Sequence, residues 1–198
     1  MSEYRIAAAV LAGGRSTRMG SPKEKMIIEG DGRTFLDKIC DEADACFGEC
    51  IAARYLSVRH GQDLSREGFK KVEDTFDDIG PLGGLTAVLG AAAADRMDAV
   101  LILACDMIRY TEDEIRRICS SYKGEDILWA RTEGRDIQPL ASIYGTKILD
   151  ECLSLAGEGV YMLRELDKRC GRTGIYDSTD SRAYENRNCP QFVKDDAL

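Results

Sequence analysis

Residues 6–14 read Ile-Ala-Ala-Ala-Val-Leu-Ala-Gly-Gly. A short, continuous apolar run, Ile6–Leu11, that stops in Ala12-Gly13-Gly14 is the pattern of a buried strand feeding a turn. The same pattern returns at Ala99–Ala104 (Ala-Val-Leu-Ile-Leu-Ala), which stops at Cys105-Asp106. Between the two, Phe35, Leu36, Ile39, Ala43 and Phe47 recur at helical spacing over 34–47. A second strand is expected at Ile51–Ala53, a loop at Gly80–Gly84 and a small-residue helix at Leu85–Ala94. Downstream, Thr111 reads as a helix N-cap with Glu114 at the capping-box position. Strands are expected at Asp126–Ala130, Leu140–Tyr144 and Gly174–Tyr176, with helices over Lys147–Leu155 and 161–169. Only 194–198 reads as a solvated tail. Strands alternating with helices, several of them apolar throughout, predict an α/β protein with a mostly parallel sheet covered on both faces.

The 198 residues suit one domain. Hydrophobic residues are 44% and charged residues 31%, the ordinary globular range. The net charge of -8 and a sequence pI near 4.8 argue against nucleic-acid partners, which require a basic footprint. No signal peptide or membrane-length apolar run is recognisable. The eight cysteines include no C-x-x-C pair, and His60 is the single histidine, so zinc-site spacing is absent. Together these features predict a cytoplasmic chain with free thiols.

The loop after the first strand concentrates charge against the global sign. Arg15, Arg18, Lys23 and Lys25 follow Gly13 and Gly14 within eleven residues. Adjacent glycines let backbone N–H groups come close to a ligand, and four cations suit a polyanion such as a triphosphate. The spacing matches neither a Walker A loop nor the G-x-G-x-x-G fingerprint. A plain glycine turn with solvated basic residues fits the same residues. Asp106, at the end of the second apolar strand, is a candidate Mg²⁺ ligand, because Mg²⁺ takes one or two carboxylates beside phosphates and water. Asp is also a common turn residue.

Leu11–Gly20 (Leu-Ala-Gly-Gly-Arg-Ser-Thr-Arg-Met-Gly) and Ala104–Met107 together resemble the molybdenum cofactor guanylyltransferases and their MobA-like nucleotidyltransferase relatives. The resemblance extends through Val72-Glu73-Asp74, Gly80-Pro81-Leu82-Gly83-Gly84-Leu85, Gln138-Pro139-Leu140 and Asn186-Arg187-Asn188-Cys189-Pro190, in family order over nearly the whole chain. It implies a three-layer α/β/α sandwich of the Rossmann-like nucleotide-diphospho-sugar transferase fold. It implies a single domain over 1–198, with a nucleotide half at about 1–110 and an acceptor half at about 111–193. The implied reaction transfers GMP from GTP to the molybdopterin cofactor, giving the guanine dinucleotide and pyrophosphate, with Mg²⁺, or Mn²⁺ in its place.

By the same resemblance Leu11, Ala12, Gly13 and Gly14 line the nucleotide. Arg18 holds the β- and γ-phosphates, and a lysine sits near the α-phosphate. Asp74 contacts the nucleoside. Gly80, Pro81, Leu82 and Gly84 belong to the loop walling the base. Asp106 binds the metal, and Asn186 and Asn188 serve the pterin or metal side. The register of Lys25-Met26-Ile27-Ile28 favours Lys25 as the catalytic lysine, while Lys23 matches the Pro-Lys spacing of some relatives. Ile108 stands where the family usually has proline, and Cys189 where it has threonine. A cytidylyltransferase for the same cofactor, a guanylyltransferase for adenosylcobinamide phosphate and a sugar-phosphate nucleotidyltransferase are the sibling readings. A nucleotide-binding protein without turnover is the reading from another class. The product would pass to a molybdoenzyme or chaperone. Cys46 and Cys50, four apart, read as two unrelated small residues, Cys105 as a buried thiol, and His60, Asp77 and Asp78 as loop residues.

Overall fold

Ile6–Leu11 is β1, an interior strand of a seven-stranded sheet, in a computed structural model that describes residues 3–14, 22–132, 136–180 and 182–184. The other strands of the sheet are β2 (Ala53–Val58), β3 (Lys70–Glu73), β4 (Ala99–Ala104), β5 (Ile127–Thr132), β6 (Ile143–Gly145) and β7 (Thr173–Ser178), in the order β3-β2-β1-β4-β6-β5-β7. Neighbours run parallel except at β6, which is antiparallel to both β4 and β5. The chain leaves β1 for β2 and β3 on one side and then returns to lay β4 on the other. The strand order therefore reverses at β1, where open α/β sheets form a ligand crevice beyond the strands' carboxyl ends.

Among the described residues, four α-helices complete three layers. On one face α1 (Phe35–Ala45) and α3 (Glu112–Ser121) bury Ile39, Ala43, Ile115 and Ile118 against Ala8, Val10, Leu101 and Leu103. On the other, α2 (Pro81–Ala94) and α4 (Leu149–Gly157) bury Leu85, Leu89 and Leu155 near Ala7, Ala9, Val100 and Ile102. Alternate residues of β1 and β4 face opposite layers. That double burial explains why both strands read as unbroken apolar runs. None of the described helices is long and apolar enough to cross a membrane.

Several expectations shift for local reasons. The strand read at Ile51–Ala53 lies later, at Ala53–Val58, because the turn after α1 runs through Gly48 (φ 80°) and leaves Ile51 only an isolated bridge to Phe47. β3 carries one apolar residue in four and sits at the sheet edge, so no periodic signal marked it. Helix α2 starts at Pro81, not Leu85: proline opens the first turn and Gly80 (φ 66°) precedes it. Gly83 and Gly84, read as loop, are helical, at positions where the loop after β3 and strand β2 leave no room for a side chain. A Cβ on Gly83 would stand 2.8 Å from the Phe76 carbonyl, and one on Gly84 2.7 Å from Ser57 Oγ.

Three other elements differ. Residues 140–144 split into a 3₁₀ turn at Pro139–Ala141 and β6, and the helix at 161–169 is a 3₁₀ turn, Leu163–Lys168. The Thr111 cap forms, its Oγ1 accepting from Glu114 N–H at 3.4 Å. Glu114 does not reach back to complete a capping box. Its carboxylate is buried and accepts from Tyr184 Oη at 2.6 Å and Arg117 Nη2 at 2.8 Å instead.

Candidate active site

The loops that follow β1, β2, β3 and β4 meet at the carboxyl edge of the sheet and line a cleft of about 420 Å³. That volume lies in the range of roughly 300–1,000 Å³ for small-molecule sites. From β1 come Leu11, Ala12, Gly13 and Gly14. Ala12 N–H donates to the Ser57 carbonyl at 2.9 Å, which continues the β1–β2 ladder to the lip of the cleft. Gly13 is packed: its added Cβ would lie 3.1 Å from Asp74 Oδ2 and 3.2 Å from Arg59 N. Gly14 is exposed, and a Cβ there would meet nothing within 4 Å among the described residues. Packing among the described residues therefore accounts for the first glycine and not for the second.

Opposite this loop stands Asp74, just past β3. Its backbone N–H donates to the Val58 carbonyl at 2.8 Å, and Ser57 Oγ donates to its Oδ1 at 2.9 Å. Burial raises the Asp74 pKa above the ordinary carboxylate value, against the lowering effect of the Ser57 hydrogen bond. Helix α2 then brings its amino end to the cleft through Gly80, Pro81 and Gly84. The partial positive charge of a helix amino end favours anions there. Leu82 does not share that wall. It is fully buried in the core between α2 and the sheet, one helical position away from the surface that Pro81 presents.

Asp106 marks the end of β4. One of its oxygens, Oδ2, accepts from Lys23 Nζ at 2.9 Å, and the two side chains are 14% and 27% exposed. Its other oxygen, Oδ1, accepts no hydrogen bond from a described residue. Lys23 lines the cleft, whereas Lys25, the lysine that register favours, is exposed and does not. The cause is the 3₁₀ turn at Lys23–Lys25: at three residues per turn, positions two apart point roughly 120° away from each other. Between them Glu24 turns inward, 5% exposed, and accepts from Gln62 Nε2 at 3.0 Å. Gln62 Oε1 also accepts from Arg59 N–H at 3.0 Å, so one side chain ties the lysine-bearing turn to the loop after β2.

Several wall residues escaped the sequence reading: Glu24, Ser57, Arg59, Asp78 and Cys105. Arg59 was missed because the second strand was placed too early. With β2 at Ala53–Val58, Arg59 is the first residue past a carboxyl end, and the apolar Tyr55-Leu56 pair was the available signal. Asp78, read as loop solvation, lines the cleft at a positive φ of 61°. Of the Gln138-Pro139-Leu140 element, Leu140 alone reaches the wall. Burial pushes the Cys105 thiol up to about 12, so it is inert there. Arg15, Arg18, Asn186 and Asn188 fall outside the described residues.

The described wall carries two cations, Lys23 and Arg59, against four carboxylates, Glu24, Asp74, Asp78 and Asp106. A polyanion entering this cleft needs further positive charge. No group of three or more His, Cys, Asp or Glu among the described residues could hold a metal ion by itself. A divalent ion at Asp106 would thus draw most of its ligands from the phosphates and water, as Mg²⁺ commonly does.

Residues 8–173 match the family model described as the MobA-like NTP transferase domain. A Vibrio campbellii protein described as "Molybdenum cofactor guanylyltransferase" is 25% identical over 183 residues, covering 92% of this chain and 90% of its own. An Opitutus terrae protein described as "Probable molybdenum cofactor guanylyltransferase" is 34% identical over 143 residues, 70% of this chain and 66% of its own. Among solved structures, the molybdopterin-guanine dinucleotide biosynthesis protein A of Archaeoglobus fulgidus superposes with a TM-score of 0.72 at 18% identity, over 93% of each chain. At that identity the superposition speaks for the fold.

Proposed function

The chain belongs to the MobA-like NTP transferase family, and from that premise we propose that it transfers GMP from GTP to molybdopterin, releasing pyrophosphate. The observation that carries this reading is the cleft at β1 and β4, which is lined both by a glycine whose added Cβ would meet no described residue and by a carboxylate–lysine pair. A terminal phosphate oxygen of the acceptor attacks the α-phosphorus of GTP. The new P–O bond forms as the bond to the β-phosphate oxygen breaks, and pyrophosphate leaves. No covalent intermediate with the protein is required, so its task is positioning and charge neutralisation.

Gly13 and Gly14 offer backbone N–H groups to the phosphates. Asp74, fixed by Ser57, takes the nucleoside, and Gly80, Pro81 and Gly84 wall the base. Asp106 would hold the metal: its Oδ1 accepts no hydrogen bond from a described residue, and the acidic balance of the described wall suits a divalent ion arriving with the triphosphate. Mg²⁺, or Mn²⁺ in its place, would neutralise phosphate charge as the leaving group departs. Lys23, which pairs with Asp106 at the cleft, would neutralise charge at the α-phosphate. By family resemblance Arg18 holds the departing pyrophosphate, and Asn186 and Asn188 serve the acceptor. The choice of guanine rests on the family resemblance of the Leu-Ala-Gly-Gly and Gly-Pro-Leu-Gly-Gly-Leu segments. Delivery of the product to a molybdoenzyme or its chaperone completes the proposal.

Calorimetry with GTP, CTP, ATP and UTP, each with and without Mg²⁺, followed by pyrophosphate release on adding molybdopterin, tests this reading. Preference for GTP and release that depends on molybdopterin are the expected results. Preference for CTP moves the chain to a sibling activity. Binding without release from any acceptor overturns catalysis altogether.

A further inference from the structure

One side chain that does not itself line the cleft joins three of the segments that do. Gln62, half-buried, lies in the loop after β2. Its Oε1 accepts from Arg59 N–H at 3.0 Å. Its Nε2 donates to Glu24 Oε1 at 3.0 Å and, at 3.5 Å, to the Ala12 carbonyl. These partners fix the amide's orientation. Its oxygen meets an N–H and its nitrogen meets two acceptor oxygens, so a flipped amide would lose all three bonds.

The anchors belong to the sheet. Ala12 continues the β1–β2 ladder through its N–H to the Ser57 carbonyl, and Arg59 follows β2 directly. The Gln62 carbonyl accepts from Lys71 Nζ, on β3, at 2.9 Å. Glu24 is the part that is held. It is buried, and among the described residues its carboxylate takes one side-chain hydrogen bond, from Gln62. A carboxylate is stable in a buried position only when it is hydrogen-bonded or paired. With Glu24 turned inward, the 3₁₀ turn sets Lys23 beside Asp106 and Lys25 in solvent.

We propose that Gln62 is a positioning residue for Lys23: by holding Glu24 inward, its amide keeps the neighbouring lysine against Asp106 in the cleft. Its effect on turnover rests on the GMP transfer proposed for the site, whereas the placement of the lysine does not. The position demands an amide, because it needs an acceptor toward Arg59 N–H and donors toward Glu24 and Ala12. Glutamate has the same shape and keeps the acceptor, but it turns an oxygen onto the Glu24 carboxylate. Methionine has a similar length and keeps neither. In both variants Glu24 turns out to water, the turn rotates with it, and Lys23 leaves Asp106.

Competitive acetylation of the folded protein by acetic anhydride, read from fragment ions of the peptide holding both lysines, tests the placement without turnover. In the parent, Lys23 should be labelled at least ~3-fold more slowly than Lys25, because Asp106 binds its ammonium and the side chain is partly covered. Gln62→Glu should bring the two rates together, and Gln62→Met should do so in its place if the glutamate variant does not fold. Combining Gln62→Glu with Glu24→Gln reverses the direction of the bond and should restore slow labelling of Lys23. In pyrophosphate release, Gln62→Glu should lower kcat by about 10–100-fold and leave the KM for GTP within about threefold. In a Lys23→Ala background the same change should cost less than about twofold, since the residue it positions is gone. Unchanged Lys23 labelling in the Gln62 variants, or full additivity with Lys23→Ala, overturns the proposal. A parent protein that releases no pyrophosphate refutes the transferase reading instead, and the labelling ratio then decides the placement of Lys23 by itself.

Discussion

Replacing Gly14 by alanine separates the demands of the fold from those of the ligand. The added methyl meets nothing within 4 Å among the described residues, and Gly14 is not in the left-handed region. Alanine there should leave stability unchanged or raise it by up to about 1 kcal/mol, since the unfolded chain loses freedom. With GTP bound, the methyl would stand where a phosphate approaches the backbone. A hydrogen bond to a charged group contributes about 1.5–3 kcal/mol, so losing one weakens binding by roughly 10–100-fold. The assay is GTP calorimetry with Mg²⁺ beside urea denaturation of the same sample. The neighbouring Gly13→Ala is the contrast: its Cβ at 3.1 Å from Asp74 Oδ2 should cost about 1–3 kcal/mol of stability by overpacking. Gly14→Ala that binds GTP like the parent would refute close approach of phosphate to this loop. A loss of stability matching the loss of binding would refute the steric reasoning.

Lys23→Ala should lower the rate of pyrophosphate release by about 10²–10³ and Lys25→Ala by less than about threefold, because Lys23 alone faces Asp106 in the cleft; steady-state rates with the opposite order would return the role to Lys25. Asp106→Asn should abolish the Mg²⁺ dependence of turnover while preserving the circular dichroism spectrum, and an unchanged Mg²⁺ titration would remove Asp106 as the ligand. Asp74→Asn should stabilise the protein at pH 7. Burial raises the folded-state pKa of Asp74 above its ordinary value, so the folded state binds more protons than the unfolded one just above that value, and stability falls as pH rises through the folded pKa. Asparagine keeps the Ser57 hydrogen bond without the charge, so the acid-to-neutral slope in denaturation curves should flatten; an unaltered slope would mean the carboxylate is not strained by burial.

How much of this was legible depended on the kind of signal each residue left. Ile6–Leu11 and Ala99–Ala104 were read with their observed boundaries because double burial imposes an unbroken apolar run, a constraint acting residue by residue on the sequence. Gly13, Gly14 and Asp106 could be nominated because turns and strand ends leave local marks, whereas Asp74 was named by the family resemblance alone. Other features exist only through contacts between distant segments. The edge strand β3 takes its pairing from β2 and not from its own pattern. The glycines at 83 and 84 sit within a helix, and the need for glycine there comes from Ser57 and Phe76 crowding it. Which of Lys23 and Lys25 faces Asp106 follows from the pitch of a three-residue turn, which no spacing rule resolves. The meeting of Gln62 with Glu24 likewise needs the loop after β2 laid beside the lysine-bearing turn. The sequence by itself determined the α/β layering and the loops that carry the chemistry, since burial and turn geometry act locally. Only the tertiary structure decided which side chains meet, because a side chain's direction depends on the packing of segments that the chain keeps far apart.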